Sequence, residues 1–187
     1  MTVIIRPNPG VFRRTMPLVV MFGCFRRYDA PEQLDQADVD AARRVVTLAR
    51  RYHVPLAYSR LLDDAKNPAP GFWLPDCRPR ISDRLFEHGP GSIFQNREFA
   101  NVYAGITDRR IYFAGPGVDS TLQQSARDIL ATLRDVQVIA CRETLQLCST
   151  GAETALDGAA PTHRDARIDT ITVQEWEYSM RCVEYAD

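Results

Sequence analysis

Few side chains among these 187 residues have the chemistry to attack, protonate or coordinate a substrate. Five are cysteines, Cys24, Cys77, Cys141, Cys148 and Cys182, odd in number and without CxxC spacing. That pattern suits free thiols in a reducing, cytoplasmic setting better than a disulfide framework. Each thiol has a competing role as a small buried hydrophobe. Cys24, just past a predicted strand, is the candidate for a reactive one, and Cys141 reads as packing. His53, His88 and His163 are dispersed and lack metal-ligand spacing, so neither a metal nor another cofactor is expected. With an unperturbed pKa of about 6.5, His88 is about one-quarter charged at pH 7. It can act as a neutral base, a weak cation, a ligand-binding donor or a purely structural group. Thr121 opens a predicted helix. Its hydroxyl attacks only beside a base, for which His88 is the candidate, and otherwise bonds to backbone. Ahead of that helix, the turn Gly115-Pro-Gly117 and the helix N-terminus offer backbone N–H groups able to hold an anion or oxyanion.

The elements that position these groups follow from the apolar pattern. Pro17-Leu-Val-Val-Met-Phe-Gly23 is a continuous apolar run, as expected of a strand buried on both faces. Val39, Ala42, Val45, Val46, Ala49 and Tyr52 recur at helical spacing, with acidic residues before them and arginines after. Further strands are predicted at 56–59, 84–88, 110–114, 136–140 and 168–173, with helices at 98–105, from Asp119 or Ser120 to about 134, and weakly at 150–156. A short segment closes the chain. Alternating strands and helices give an α/β domain: a Rossmann-like three-layer sandwich with a mostly parallel sheet of about six strands and helices on both faces. In such sheets ligands bind beyond the carboxyl ends of the strands, which nominates residues 22–25, 59–62, 88–92 and 115–121. A single domain spans 1–187, with an N-terminal arm at 1–16 and a lid-like loop at 60–80. That loop carries Trp73 and Lys66, the only lysine among 23 basic residues.

Composition excludes several classes. The 23 basic and 24 acidic side chains balance, and no footprint for nucleic acid or a membrane surface is expected. No apolar run reaches the roughly 18 residues of a membrane span. MTVIIRPNPGVFRRTM lacks the ordered regions of a signal peptide.

Three segments carry a resemblance. Gly115-Pro-Gly-Val-Asp-Ser-Thr-Leu-Gln-Gln-Ser-Ala-Arg-Asp128 is similar to the G-V-x-T-D-x-C-V-x-x-T-A-x-D segment of the isochorismatase-like family, also called the cysteine hydrolases. Leu18-Val-Val-Met-Phe-Gly-Cys24 resembles that family's opening L-L-V-I-D-M-Q strand. Phe86-Glu-His-Gly-Pro-Gly-Ser-Ile-Phe94 resembles its V-x-K-x-x-Y-S-A-F segment. The resemblance covers about residues 17–173 and implies hydrolase ancestry and a dimer or tetramer. The N-terminal arm and the Trp176/Tyr178 segment are candidates for such homo-oligomer contacts.

The family's catalytic set is an aspartate proton acceptor, a polarising lysine and a cysteine nucleophile. By this alignment those positions are Phe22, His88 and Thr121. The Asp-x-His metal pattern of nicotinamidases is also missing, its place taken by Ser59-Arg-Leu-Leu-Asp-Asp64. The family's non-proline cis peptide maps onto Pro116–Gly117. A phenyl ring accepts no proton, so a contribution of about 10²- to 10⁴-fold from a positioned base is absent at Phe22. Continued strand alternation places Cys24 on the same side as Phe22. The expected function is a non-catalytic or repurposed family member, a pseudoenzyme that binds a small molecule through Phe22, Cys24, Trp73, His88, Gly117 and Thr121. The alternatives are a hydrolase of altered mechanism acting on a small amide, ester or enol ether, and a structural homo-oligomer subunit.

Overall fold

The computed structural model describes residues 16–28, 34–62, 70–116, 120–133, 135–141 and 168–184. Its strands are β1 (Leu18–Met21), β2 (Phe25–Arg27), β3 (Leu56–Leu61), β4 (Gly71–Trp73), β5 (Arg84–His88), β6 (Arg110–Ala114), β7 (Gln137–Cys141) and β8 (Ile168–Ile171). Its helices are α1 (Gln36–Arg51), α2 (Arg97–Ala104), α3 (Ser120–Thr132) and α4 (Val173–Glu184), with one 3₁₀ turn at Ile93–Gln95.

Six strands form one parallel sheet in the order β5-β3-β1-β6-β7-β8. Chain order reverses direction between β1 and β6, which makes that pair the topological switch point. Every residue of β1 is buried, as a central strand covered on both faces must be. Alternation sends its side chains to two separate cores. Val19 and Met21 join Leu56, Tyr58, Tyr112, Ala114 and Ile139 under α1 and α4. Leu18, Val20 and Phe22 join Ala57, Phe86, Ile111, Phe113 and Val138 under α2 and α3.

Helix α1 starts at the Asp35 cap, whose carboxylate accepts the Ala37 N–H at 2.9 Å. It turns Val39, Ala42, Val45, Val46 and Ala49 inward.

The main sheet has the six strands expected of it, and among the described residues two further strands, β2 and β4, pair antiparallel as a separate ribbon. Two runs of three residues are too short to show a period in sequence. Two expectations are corrected. The lid-like loop at 60–80 is not irregular throughout: β3 continues to Leu61, and Gly71–Trp73 is a strand. The short C-terminal segment is a twelve-residue helix, α4, and Trp176 within it is fully buried. Trp176 is therefore unavailable for oligomer contacts, whereas Tyr178 is 71% exposed. The arm at 1–15, Lys66, Cys148, the weak helix at 150–156 and His163 lie outside the described residues.

Helix α4 is held to α1 by Glu177, which accepts from Arg44 at 2.9 Å and from Arg181 at 2.6 Å. Hydrogen bonds from Arg44 and Arg181 hold the Glu177 carboxyl below the usual carboxylate range. Its contribution to stability is present above the ordinary glutamate value of about 4.3 and is lost as pH falls through the lower folded value. Glu177→Gln will flatten that acid limb in urea titrations run across pH. Trp176→Ala will cost about 3–5 kcal/mol in the same assay. Tyr178→Ala will stay within about 0.5 kcal/mol of the parent.

Candidate functional site

At the switch point the chains leaving β1 and β6 press together. Phe22 N–H donates to Ala114 O at 2.8 Å, continuing the β1–β6 pairing one residue past the strand. Gly115 follows at φ +151°, and a Cβ there would lie 1.9 Å from Phe22 O. Gly23 sits at φ +64°, where a Cβ would meet Pro116 O at 3.0 Å. Both positions need glycine, for left-handed backbone and for close approach. Gly117 and the Pro116–Gly117 bond, both singled out in sequence, lie outside the described residues.

Phe22 is buried and packs edge-on to Phe113, ring centroids 5.1 Å apart. Such aromatic pairs contribute about 0.5–1.5 kcal/mol beyond burial alone. The ring belongs to the core beneath α2 and α3. Thr121, in the first turn of α3, is buried as well. Its carbonyl accepts from Ser125 Oγ at 2.6 Å, and Ser125 Oγ in turn accepts the Ile93 N–H at 3.0 Å. Ser125 thus ties the start of α3 to the 3₁₀ turn that follows β5.

His88 ends β5, two residues after Phe86 and so on the same sheet face. Its Nδ1 lies 2.7 Å from Gly89 O and its Nε2 2.7 Å from Ser59 Oγ. A carbonyl only accepts, so Nδ1 carries the proton. In the neutral ring Nε2 then accepts the Ser59 hydroxyl proton, a tautomer assigned from this network. Ser59 was nominated only as part of a strand-end segment. Its partnership with His88 arises because β3 and β5 are neighbours and both side chains face the same layer.

Cys24 departs from expectation. The strand stops at Met21, and left-handed Gly23 rotates the chain, so alternation does not continue. Cys24 lies in the core beneath α1 and α4, opposite the layer that holds Phe22. Its neighbour there is Cys77. The hydrogen bond between the two thiols, with burial, pushes Cys24 up, while the same bond and nearby Arg43 and Arg50 lower Cys77. Cys141, the last residue of β7, is buried in that core too. Trp73 is likewise on the far side. Its ring packs edge-on to Phe25 at 5.2 Å and Tyr58 at 5.7 Å, fastening the ribbon to the sheet rather than facing the Phe22 layer.

The whole architecture has solved counterparts. A cysteine hydrolase from Pseudomonas syringae pv. phaseolicola superposes with a TM-score of 0.70 at 14% identity, over 91% of this chain and 95% of that one. An isochorismatase-like hydrolase from Alkaliphilus metalliredigens gives 0.65 at 13% identity, over 88% and 99%. An N-carbamoylsarcosine amidase from Thermoplasma acidophilum gives 0.61 at 16% identity, over 85% and 97%. The chain has the isochorismatase-like fold. No protein-family model matches the sequence, and no curated protein matches it.

The positions the resemblance aligns with the catalytic set hold a buried phenyl ring, an imidazole with both nitrogens engaged and a buried threonine. The polar pair that remains, Ser59 with His88, is the arrangement able to move a proton. No group of three or more His, Cys, Asp or Glu among the described residues has metal-binding placement. Gly115→Ala will prevent stable folding, read as loss of the cooperative thermal transition, since its Cβ meets backbone rather than a movable side chain. Cys24, Cys77 and Cys141 will resist a thiol reagent in the folded chain and react after unfolding in guanidinium.

Proposed function

We propose that this chain is an isochorismatase-like protein without the family's covalent chemistry, its crevice retained for binding a small molecule. The observation that carries the reading is Phe22, packed on Phe113 at the end of β1 where the resemblance aligns the proton acceptor. The ring supplies apolar surface and can neither take a proton nor hold a neighbouring cation in its charged form. His88 puts an imidazole engaged at both nitrogens where the resemblance aligns a permanent ammonium. A threonine hydroxyl attacks only beside a base, and the nitrogen of the candidate base, His88 Nε2, is engaged by Ser59.

The expected result is no amidase or isochorismate-cleaving turnover above background, for the parent and for Thr121→Ala alike. Turnover by the parent that Thr121→Ala abolishes overturns the reading.

One observation favours a second reading, a hydrolase of altered mechanism acting on a small amide or ester. Ser59 Oγ donates to His88 Nε2 at 2.7 Å while Gly89 O holds the opposite ring nitrogen, the relation of nucleophile, base and orienting group. On this reading His88 takes the Ser59 proton as Oγ attacks the carbonyl carbon, then returns it to the leaving group. A fluorophosphonate probe would label Ser59, and both labelling and ester turnover would disappear in Ser59→Ala and in His88→Asn. Absence of labelling in the folded parent removes this alternative.

A further inference from the structure

A second hollow lies at the amino ends of β3 and β5, the sheet edge opposite the switch point. It is an open concavity of about 640 Å³ between the last turns of α1 and the loop that leads into β5, lined by Thr47, Arg50, Arg51, Asp76, Arg78 and Arg80, with Pro79 between the last two. That volume is in the range of small-molecule sites, about 300–1,000 Å³.

Arg50 is the fixed post of this hollow. One of its terminal nitrogens donates to Asp83 at 2.7 Å, to Arg78 O at 2.8 Å and to the Tyr58 hydroxyl at 3.3 Å. Asp83, whose side chain is only 6% exposed, neutralises Arg50 and also accepts the Arg80 N–H at 2.8 Å. The loop is pinned on its other side by Arg43, which donates to Pro75 O at 3.2 Å, and by buried Cys77. Arg78 and Arg80 therefore project from a fastened backbone.

Charge does not balance at the rim. Asp83 answers Arg50, and the exposed Asp76 carboxylate lies 3.8 Å from Arg43. Among the described residues no carboxylate pairs with Arg51, Arg78 or Arg80. The dipole of α1 accounts for cations at Arg50 and Arg51 in its last turn. It does not account for Arg78 and Arg80, which belong to the loop. Three guanidinium groups around one concavity, against one lining carboxylate, leave an excess suited to a doubly charged anion.

We propose that this hollow binds the phosphate group of a small phosphomonoester. Arginine forks present paired N–H donors that match phosphate oxygens; Arg78 and Arg80 supply two, and Arg51, whose guanidinium lies 5.6 Å over the Tyr52 ring, adds a third cation. The remaining volume, bordered by Thr47 and Pro79, accommodates the organic part. The site is independent of the crevice at the switch point and stands whether or not that crevice is catalytic.

The test titrates inorganic phosphate and phenyl phosphate into the full chain at low salt, by calorimetry and ³¹P line broadening. The expected result is saturable one-site binding, tighter for phenyl phosphate. It should weaken at least about tenfold in Arg78→Gln/Arg80→Gln and keep its strength in Arg97→Gln, an exposed arginine on α2. Circular dichroism of the double variant checks that its fold is kept, and Arg78→Lys separates fork geometry from charge by restoring binding only in part. Absence of saturation, or equal weakening by Arg97→Gln, overturns the proposal.

Discussion

The backbone contact between the end of β1 and the turn after β6 governs the carboxyl end of the central sheet. Phe22 N–H bonds to Ala114 O, and Gly115 then crosses Phe22 O at a separation no side chain would permit. The crevice of a parallel sheet opens where neighbouring strands lead away in opposite directions. Here the two strands stay joined one residue beyond their regular pairing before they part. Phe22 is consequently locked in place, and its ring has only the layer beneath α2 and α3 to enter.

That placement sets the polarity of its surroundings. An apolar ring gives no charge for a partner to balance, so polar groups nearby must satisfy one another. Ser59, His88 and Gly89 O do this by pairing both ring nitrogens, and Ser125 does it for the start of α3. Burying such groups unpaired would cost about 1–3 kcal/mol each. The same satisfied geometry in Ser59 and His88 is also a proton-transfer geometry, which explains why a structural and a catalytic reading share these two residues.

The two sheet faces have divided labour. The layer beneath α2 and α3 contains the aligned catalytic positions, while the opposite layer contains the thiols and the clamp formed by Trp73 on Tyr58. The arginine-rich hollow belongs to neither crevice wall. It is built from the end of α1 and a loop anchored by Arg50 and Asp83, at the other end of the strands.

Periodicity determined much of this by itself. Strand-like segments bounded by turn residues located the six strands of the main sheet, most sharply at Leu18–Met21, where burial on both faces leaves an unbroken hydrophobic signature. The helical stripe from Val39 to Ala49 and the glycines flanking the crevice were legible for equally local reasons. Tertiary structure alone decided which side chains meet. One left-handed glycine, Gly23, carried Cys24 to the wrong face for any alternation argument. The order of strands, which no local pattern encodes, set Ser59 beside His88. Trp176 had the composition of a contact residue and became core, because only the folded chain supplies α1 and Tyr112 to cover it. Contacts between residues distant in sequence depend on where the backbone is sent between them, and a few dihedral angles at glycines and turns settle that.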